Sequence, residues 1–406
     1  MHDVTSFGLA LLLVSAALSA ALLTSKVSAR ISIPAPAFFL LAAAIASDVS
    51  SSLAVSISTV ERIATIALIV ILFNGGSSIG WRRFRVAATP IASLGVAGTF
   101  ATAGVVAAFV HLAFGLGWTT SGLVGAAVAP TDPAVMFSVF GDREVTGRTG
   151  TILEGESGAN DPVGIALMLG LIELAAHPDK SFWVVVQVFC EQMAIGLAIG
   201  ILGGLVERRL LQRLQLPSAG LYTVRTLALA GLVYGVATVA HGSGFLAVFV
   251  AGLIVGDVHA PFKSEIEVFQ DGLATLAEVT VFVALGLTVN LGAVSAQRWA
   301  EGLAVAAFLA LVARPLVAGT LLVPARLDPG EKLFVMWGGL KGAVPILLAA
   351  FAVASHVTDA RRIYETVFVV VLASVVVQGG SIAAAARRFG IEMRRASPTP
   401  RAERSG

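Results

Sequence analysis

Apolar runs of about 18 residues or more follow one another along nearly the whole chain, and this limits the fold before any motif is considered. Lipid leaves no water for the backbone, so a spanning segment must be a helix or part of a closed barrel. No run alternates long enough to suggest a barrel strand, which leaves helices. Composition agrees, with 57% hydrophobic and 13% charged residues against about 25% charged in soluble domains. The 42 glycines suit helices that approach closely in lipid. The chain therefore reads as an all-α polytopic membrane protein. Its single cysteine, Cys190, excludes an intramolecular disulfide and any Cys-based metal site. It lies in an apolar run and is expected to be a small buried hydrophobe.

About thirteen spans are predicted, at 6–25, 33–48, 59–76, 87–114, 119–140, 151–175, 182–206, 218–240, 243–256, 270–290, 300–323, 331–354 and 363–386. The first follows Met-His-Asp-Val-Thr without Lys or Arg, so it reads as a retained transmembrane helix rather than a signal peptide. With the N-terminus outside, most of the 27 Lys and Arg residues fall on inner loops and on a short basic cytoplasmic tail, 387–406. Lys180, Arg298, Arg361 and Arg362 fall outside, and Arg62, Arg314 and Lys341 at or within the membrane. That asymmetry orients the chain and supports an odd number of spans. "WRRFR" at 81–85 and "ERRLLQRLQ" at 207–215 then anchor the inner face.

Charges inside the membrane are costly and normally face a bundle interior or a water-filled cavity. In "APTDPA", Pro130 and Pro133 flank Thr131 and Asp132 in mid-span. Each proline removes a backbone donor, and broken backbone with a hydroxyl and a carboxylate offers hard oxygen ligands to a small cation. In "EGESGANDPVG", a helix over 152–175 puts Glu154, Ser157 and Asp161 on one face. Glu156 lies about 140° and Asn160 about 100° from Asp161 around such a helix. Glu154 reads as interfacial, Asp161 as the deepest group, and Pro162 as a source of irregularity in the first turn.

In "WGGLKGAVPILLA", Lys341 lies roughly 15 Å inside the membrane edge, with Glu156 and Asp132 as candidate counter-ions. Arg314 in "LVARPLVAG" reads as a structural ion-pair partner, and Glu278 in "LAEVTVFVALG" as either that partner or part of an ion route. Asn74 in "ILFNGG" is a polar lining residue or, slightly favoured, a helix C-cap before Gly75. No His cluster suggests a metal centre. The interrupted segments around Asp132 and Lys341 occupy corresponding places seven spans apart, the pattern of an inverted-repeat transporter. Asp132 and Lys341 are positioned to neutralise the half-helix ends at the midplane.

These pieces, with "ARPL" and their order from about 70 to 350, resemble the monovalent cation/proton antiporters of the sodium/proton exchanger and NhaP-type branch, including its potassium/proton members. The resemblance implies the NhaA/NhaP-like antiporter fold: about thirteen helices, inverted repeats and two broken, crossing helices. It implies one transmembrane domain, 1–386, with core helices in about 59–175 and 270–386 in part and dimerisation helices in the remainder. It further implies a homodimer in the cell inner membrane that serves pH homeostasis. Asp161 would carry cation and proton, lined by Thr131, Asp132 and Ser157. Asn160 would bond across the broken helices, and Glu156 would pair with Lys341 or Arg314. The Asn160–Asp161 pair goes with electroneutral exchange in that family. Lys341 stands where the family usually has Arg, and Asn74 where it often has Asp or Glu.

The expected function is thus exchange of Na⁺ or K⁺ for H⁺ by alternating access, with Glu278, Asn74 and Glu154 as further candidates for the pathway. No enzyme activity, cofactor or nucleic-acid partner is called for; the partners are membrane lipid, the transported ions and a second copy. A channel or uniporter without proton coupling is the alternative, distinguishable by a pH dye. An intramembrane aspartyl protease would need Gly-x-Gly-Asp, whereas this chain has "GAND". An anion carrier is disfavoured by the acidic site.

Overall fold

Local chemistry sets where the helices begin and end. The computed structural model describes residue 19 and residues 34–49, 55–140, 143–145, 147–177 and 179–395. Helix α1 (Ala35–Val49) takes Pro36 in its first turn, where the missing N–H removes no intrahelical bond. Helix α2 (Ile57–Val86) is capped by Ser56, whose hydroxyl accepts the N–H of Thr59. Helix α3 (Ala88–Phe114) contains a π-helical stretch, Ser93–Gly98, and stops at Gly115 in the left-handed region.

There follow α4 (Trp118–Val128), α5 (Pro133–Phe140), α6 (Gly147–Ala176), α7 (Trp183–Arg213), α8 (Ala219–Val239) and α9 (Gly244–Gly256). Then come α10 (Lys263–Gly286) and α11 (Ala296–Leu321). Helix α12 (Pro329–Trp337) opens on a capping box between Asp328 and Glu331. The last are α13 (Ala343–Ala354) and α14 (Ala360–Arg388). Two short strands, β1 (Arg143–Val145) and β2 (Met393–Arg395), pair antiparallel.

The protein is a nearly all-helical membrane protein. Among the described residues, eight helices are long and apolar enough to cross a membrane, and α1, α9 and α13 are shorter apolar helices. The spans expected at 119–140 and 331–354 each resolve into two helices, α4–α5 and α12–α13, broken at the glycines and prolines that marked them. The other expected spans within the described residues each coincide with one helix. The first, 6–25, lies outside them except for Ser19, as do Lys26, Arg30 and the tail beyond 395.

Helix α6 is the central element. Its apolar window is 61% buried within the protein, against 17% for α7, which is peripheral and presents an apolar outer face that includes Leu202 and Val206. Cys190 lies on that helix and is exposed, not buried as expected; an apolar run in a membrane protein has an outer side as well as a core. Helices α2 and α9 meet backbone to backbone. A Cβ on Gly76 would collide with the carbonyl of Phe249, and one on Gly252 with that of Phe73.

Candidate functional site

The two breaks meet. The amide of Asp132, in the first, donates to the carbonyl of Leu340 in the second at 2.8 Å. The strands of broken backbone thus cross and share a main-chain hydrogen bond. The ammonium of Lys341 donates to the carbonyls of Ala129 and Pro130, both at 2.9 Å. These are the carbonyls left over where α4 ends, and a cation there complements the negative end of the helix. Asp132 lies on the reciprocal side: its carboxylate packs against Gly342, the N-cap of α13, so closely that a Cβ would not fit. A carboxylate at that position complements the positive end of α13.

The third wall is α6. Asn160 donates from Nδ2 to the hydroxyl of Thr131 at 2.8 Å, which ties α6 to the first break. Asn160, Asp161, Ser157 and Thr131 are all buried. Ser157 and Asp161, four apart on an unbroken helix, share a face. Asp132 and Lys341 are the charged groups that act on Asp161. Oδ1 of Asp161 and Oδ1 of Asn160 are buried, and neither accepts a hydrogen bond from the described residues. Acceptors left open in this way are uncommon, and here two adjacent residues each provide one.

Glu156 faces elsewhere. Arg314 grips it with two parallel bonds, Nη1 to Oε1 at 2.5 Å and Nη2 to Oε2 at 2.9 Å. The same Nη2 donates to the carbonyl of Val335 near the end of α12. Of the two partners left open by the sequence, Arg314 therefore holds Glu156, and Lys341 serves backbone carbonyls rather than the expected carboxylates. The planar fork of a guanidinium explains the choice, since it matches a carboxylate bidentately while an ammonium does not. Glu278 is accordingly not the partner of Arg314. Its Oε1 is buried without a hydrogen bond from the described residues, and Asp132 is the charge that acts on it.

Two expectations are corrected. Asn74 is in the interior of α2, not at a C-cap, and donates to Asp271 of α10 at 3.0 Å. Gly76, two residues on, admits α9 rather than ending the helix. Pro162 is not in a first turn, because α6 begins at Gly147 and runs through the proline as helix. What the proline does is leave the carbonyl of Gly158 without its helical donor. Glu154 has a basic neighbour, Arg83 at 3.6 Å across α2.

The sequence reading missed Ser374. Its hydroxyl accepts the amide of Lys341 at 3.0 Å and donates to Gln378 at 2.8 Å. Two polar residues four apart in the very apolar α14 were the available signal. It also missed Glu207, read only as part of a surface anchor. That residue is fully buried beside Arg225 at 3.4 Å.

Two broken helices that cross at a buried, charged centre define a secondary transporter of the inverted-repeat kind. Residues 14–388 match the family described as sodium/hydrogen exchanger, transmembrane, and the chain belongs to that family. It is 38% identical over 336 residues to the K(+)/H(+) antiporter NhaP of Alkalimonas amylolytica, covering 82% of this chain and 58% of that protein. It is 34% identical over 390 residues to the K(+)/H(+) antiporter NhaP2 of Shewanella sp. (strain ANA-3), covering 94% and 67%. The chain thus spans only about three fifths to two thirds of the length of these relatives. Among solved structures it is similar to the sodium proton antiporter MjNhaP1 from Methanocaldococcus jannaschii, with a TM-score of 0.78 and 22% identity over 94% of this chain and 98% of that one. The fold is that of this antiporter.

Proposed function

We propose that the chain exchanges a monovalent cation, K⁺ or Na⁺, for H⁺ across the plasma or inner membrane, as an electroneutral antiporter and as a homodimer, in the service of pH homeostasis. The observation that carries this reading is the open, buried carboxylate oxygen of Asp161 at the crossing of the breaks. A proton and a cation compete for that oxygen. The hydroxyls of Thr131 and Ser157, the carbonyl oxygen of Asn160 and the Asp132 carboxylate supply the hard ligands a monovalent cation takes.

An Asp161 carrying neither ion would be a naked charge in a low-dielectric interior, which is costly to move. Only loaded forms then pass between the two faces, and this couples one flux to the other. One carboxylate that carries either one proton or one cation moves equal charge in both directions, hence electroneutrality. Lys341 keeps the end of α4 compensated and Glu156–Arg314 anchors α6, so neither needs to bind cargo. The names of the relatives put both K⁺ and Na⁺ in the test.

The test is proton release in vesicles that hold a pH gradient, read by a pH dye as K⁺, Na⁺ and Li⁺ are added in turn. Wild type is expected to respond and Asp161→Asn to give no response while still inserting and eluting as a folded protein. Cation uptake without a change in the dye would instead establish a channel or uniporter.

A further inference from the structure

One peptide unit in the second break is held from two sides. The carbonyl of Leu340 accepts the amide of Asp132 at 2.8 Å, and the amide of Lys341, in the same peptide, donates to the hydroxyl of Ser374 at 3.0 Å. From there the ammonium of Lys341 reaches the carbonyls of Ala129 and Pro130. Residues 340 and 341 thus grip the first break at 129, 130 and 132, with Thr131 enclosed between the grips. Two of the oxygen ligands proposed for the cation, from Thr131 and Asp132, therefore ride on this one peptide.

Helix α14 supplies the second hold. Ser374 and Gln378 are buried there, and the hydroxyl of Ser374 donates to Oε1 of Gln378 at 2.8 Å. A hydroxyl has one hydrogen, so this bond fixes its direction and leaves a lone pair for the amide of Lys341. Both residues belong to a π-helical stretch, Ser374–Gly379; such stretches are rare and recur at functional sites. Gly379 ends the stretch against Pro34 and the side chain of Leu340, where a Cβ would collide with the proline ring. The place is also the counterpart of the cargo site. Helices α6 and α14 each follow a broken helix, and Asp161 and Ser374 are each the fifteenth residue of their helix. In the first half that turn presents an open carboxylate; in the second it presents a neutral hydroxyl that accepts from backbone.

We infer that Ser374 and Gln378 are positioning residues for the transported cation: they hold the Leu340–Lys341 peptide at the tilt that keeps the oxygens of Thr131 and Asp132 in place beside Asp161. The inference rests on the antiport reading above. The main-chain bond between the breaks survives the loss of the Ser374 hydroxyl. What is lost is the second point that fixes the peptide plane. Cation and proton feel that loss differently. A cation needs several oxygens at set distances, and the groups behind those oxygens tune its affinity. A proton needs one oxygen only. Loosening the peptide therefore weakens cation binding, while Asp161 still takes a proton.

The experiment measures cation-dependent proton movement as a function of K⁺ and Na⁺ concentration in vesicles, for wild type, Ser374→Ala, Ser374→Thr and Gln378→Leu. Rates are referred to the amount of folded protein. Ser374→Ala is expected to raise the half-saturating cation concentration about three- to tenfold, the range that one neutral hydrogen bond spans. The rate at saturating cation is largely kept. Ser374→Thr retains the hydroxyl and is expected to stay close to wild type. Gln378→Leu frees that hydroxyl to turn and shifts half-saturation in the same direction as Ser374→Ala, by less.

Equal half-saturation in wild type and Ser374→Ala overturns the positioning role, including where the maximal rate alone falls, which marks a purely structural residue. Ser374→Thr as impaired as Ser374→Ala overturns it too, since the hydroxyl is then not what matters. Should Ser374→Ala fail to fold, Gln378→Leu decides by the same split, and an unshifted half-saturation there refutes it. If the wild type itself moves no protons in response to either cation, the antiport reading fails, and the positioning role with it. That outcome is distinct from a wild type that exchanges normally beside an unshifted Ser374→Ala.

Discussion

Two buried carboxylates at different places in the molecule are treated in opposite ways. At one end of α11, Glu301 accepts bonds from Arg298, from both nitrogen positions of Arg362 on α14 and from Gln297. At the crossing, Asp161 is equally buried, yet its Oδ1 meets no donor among the described residues. A buried charge that is fully paired is a clamp, costly to loosen and unable to accept anything new. A buried charge with an open oxygen is a vacancy for an ion small enough to enter. Glu156, one and a half turns before Asp161 on the same helix, belongs with Glu301: both its oxygens are gripped by Arg314. The functional distinction is therefore one of satisfaction rather than of burial.

The contrast is broken most completely at Asp161. Asp161→Asn leaves packing nearly unchanged and is expected to abolish exchange in the vesicle assay, with no loss of thermal stability in detergent. Next is Arg314→Ala, which leaves Glu156 buried and uncompensated. It is expected to cost about 3–5 kcal/mol, seen as a fall in melting temperature or in the yield of folded protein, and Glu156→Gln in the same chain should recover part of it. Glu301→Gln removes charge-assisted bonds at a partly accessible cluster and should cost about 2 kcal/mol. Exchange at permissive temperature should be retained, which separates the clamp from the vacancy.

The smallest effect needs no mutation. If proton and cation share the oxygens of Asp161, lowering the pH fills them with protons and raises the half-saturating cation concentration. The limit is about tenfold per pH unit once the protonated form dominates. Raising the pH lowers it to a plateau. Titration of wild-type rates against cation at several pH values reads this directly, and a half-saturation independent of pH would remove the competition.

The parts of the site carried by local contrast were legible in the chain itself. A carboxylate in an apolar run or prolines in mid-span stand out against their neighbours, so Asp161, the two breaks and Lys341 could be named without coordinates. What could not be read was who meets whom. Glu156 and Arg314 lie 158 residues apart, and although a guanidinium fork suits a carboxylate better than an ammonium does, nothing in either neighbourhood shows that the two meet. The crossing completes the choice by turning the ammonium of Lys341 toward the end of α4.

Asn74 was misread for a related reason. A polar residue before glycines has the local look of a helix end, but Gly76 answers to a neighbouring helix that the sequence does not display. The exposure of Cys190 was also out of reach, because it depends on which side of an apolar helix faces protein and which faces lipid.

The bond between the two breaks joins main chain to main chain, Asp132 N–H to Leu340 C=O. Side-chain replacement at either position leaves both partners in place, short of proline at 132. The joint is thus insulated from mutation in a way that the ligands around it are not. A lineage is free to exchange hydroxyl for amide or Lys for Arg around the cargo, and so to retune what is carried, without dissolving the scaffold on which each new ligand set must be tried.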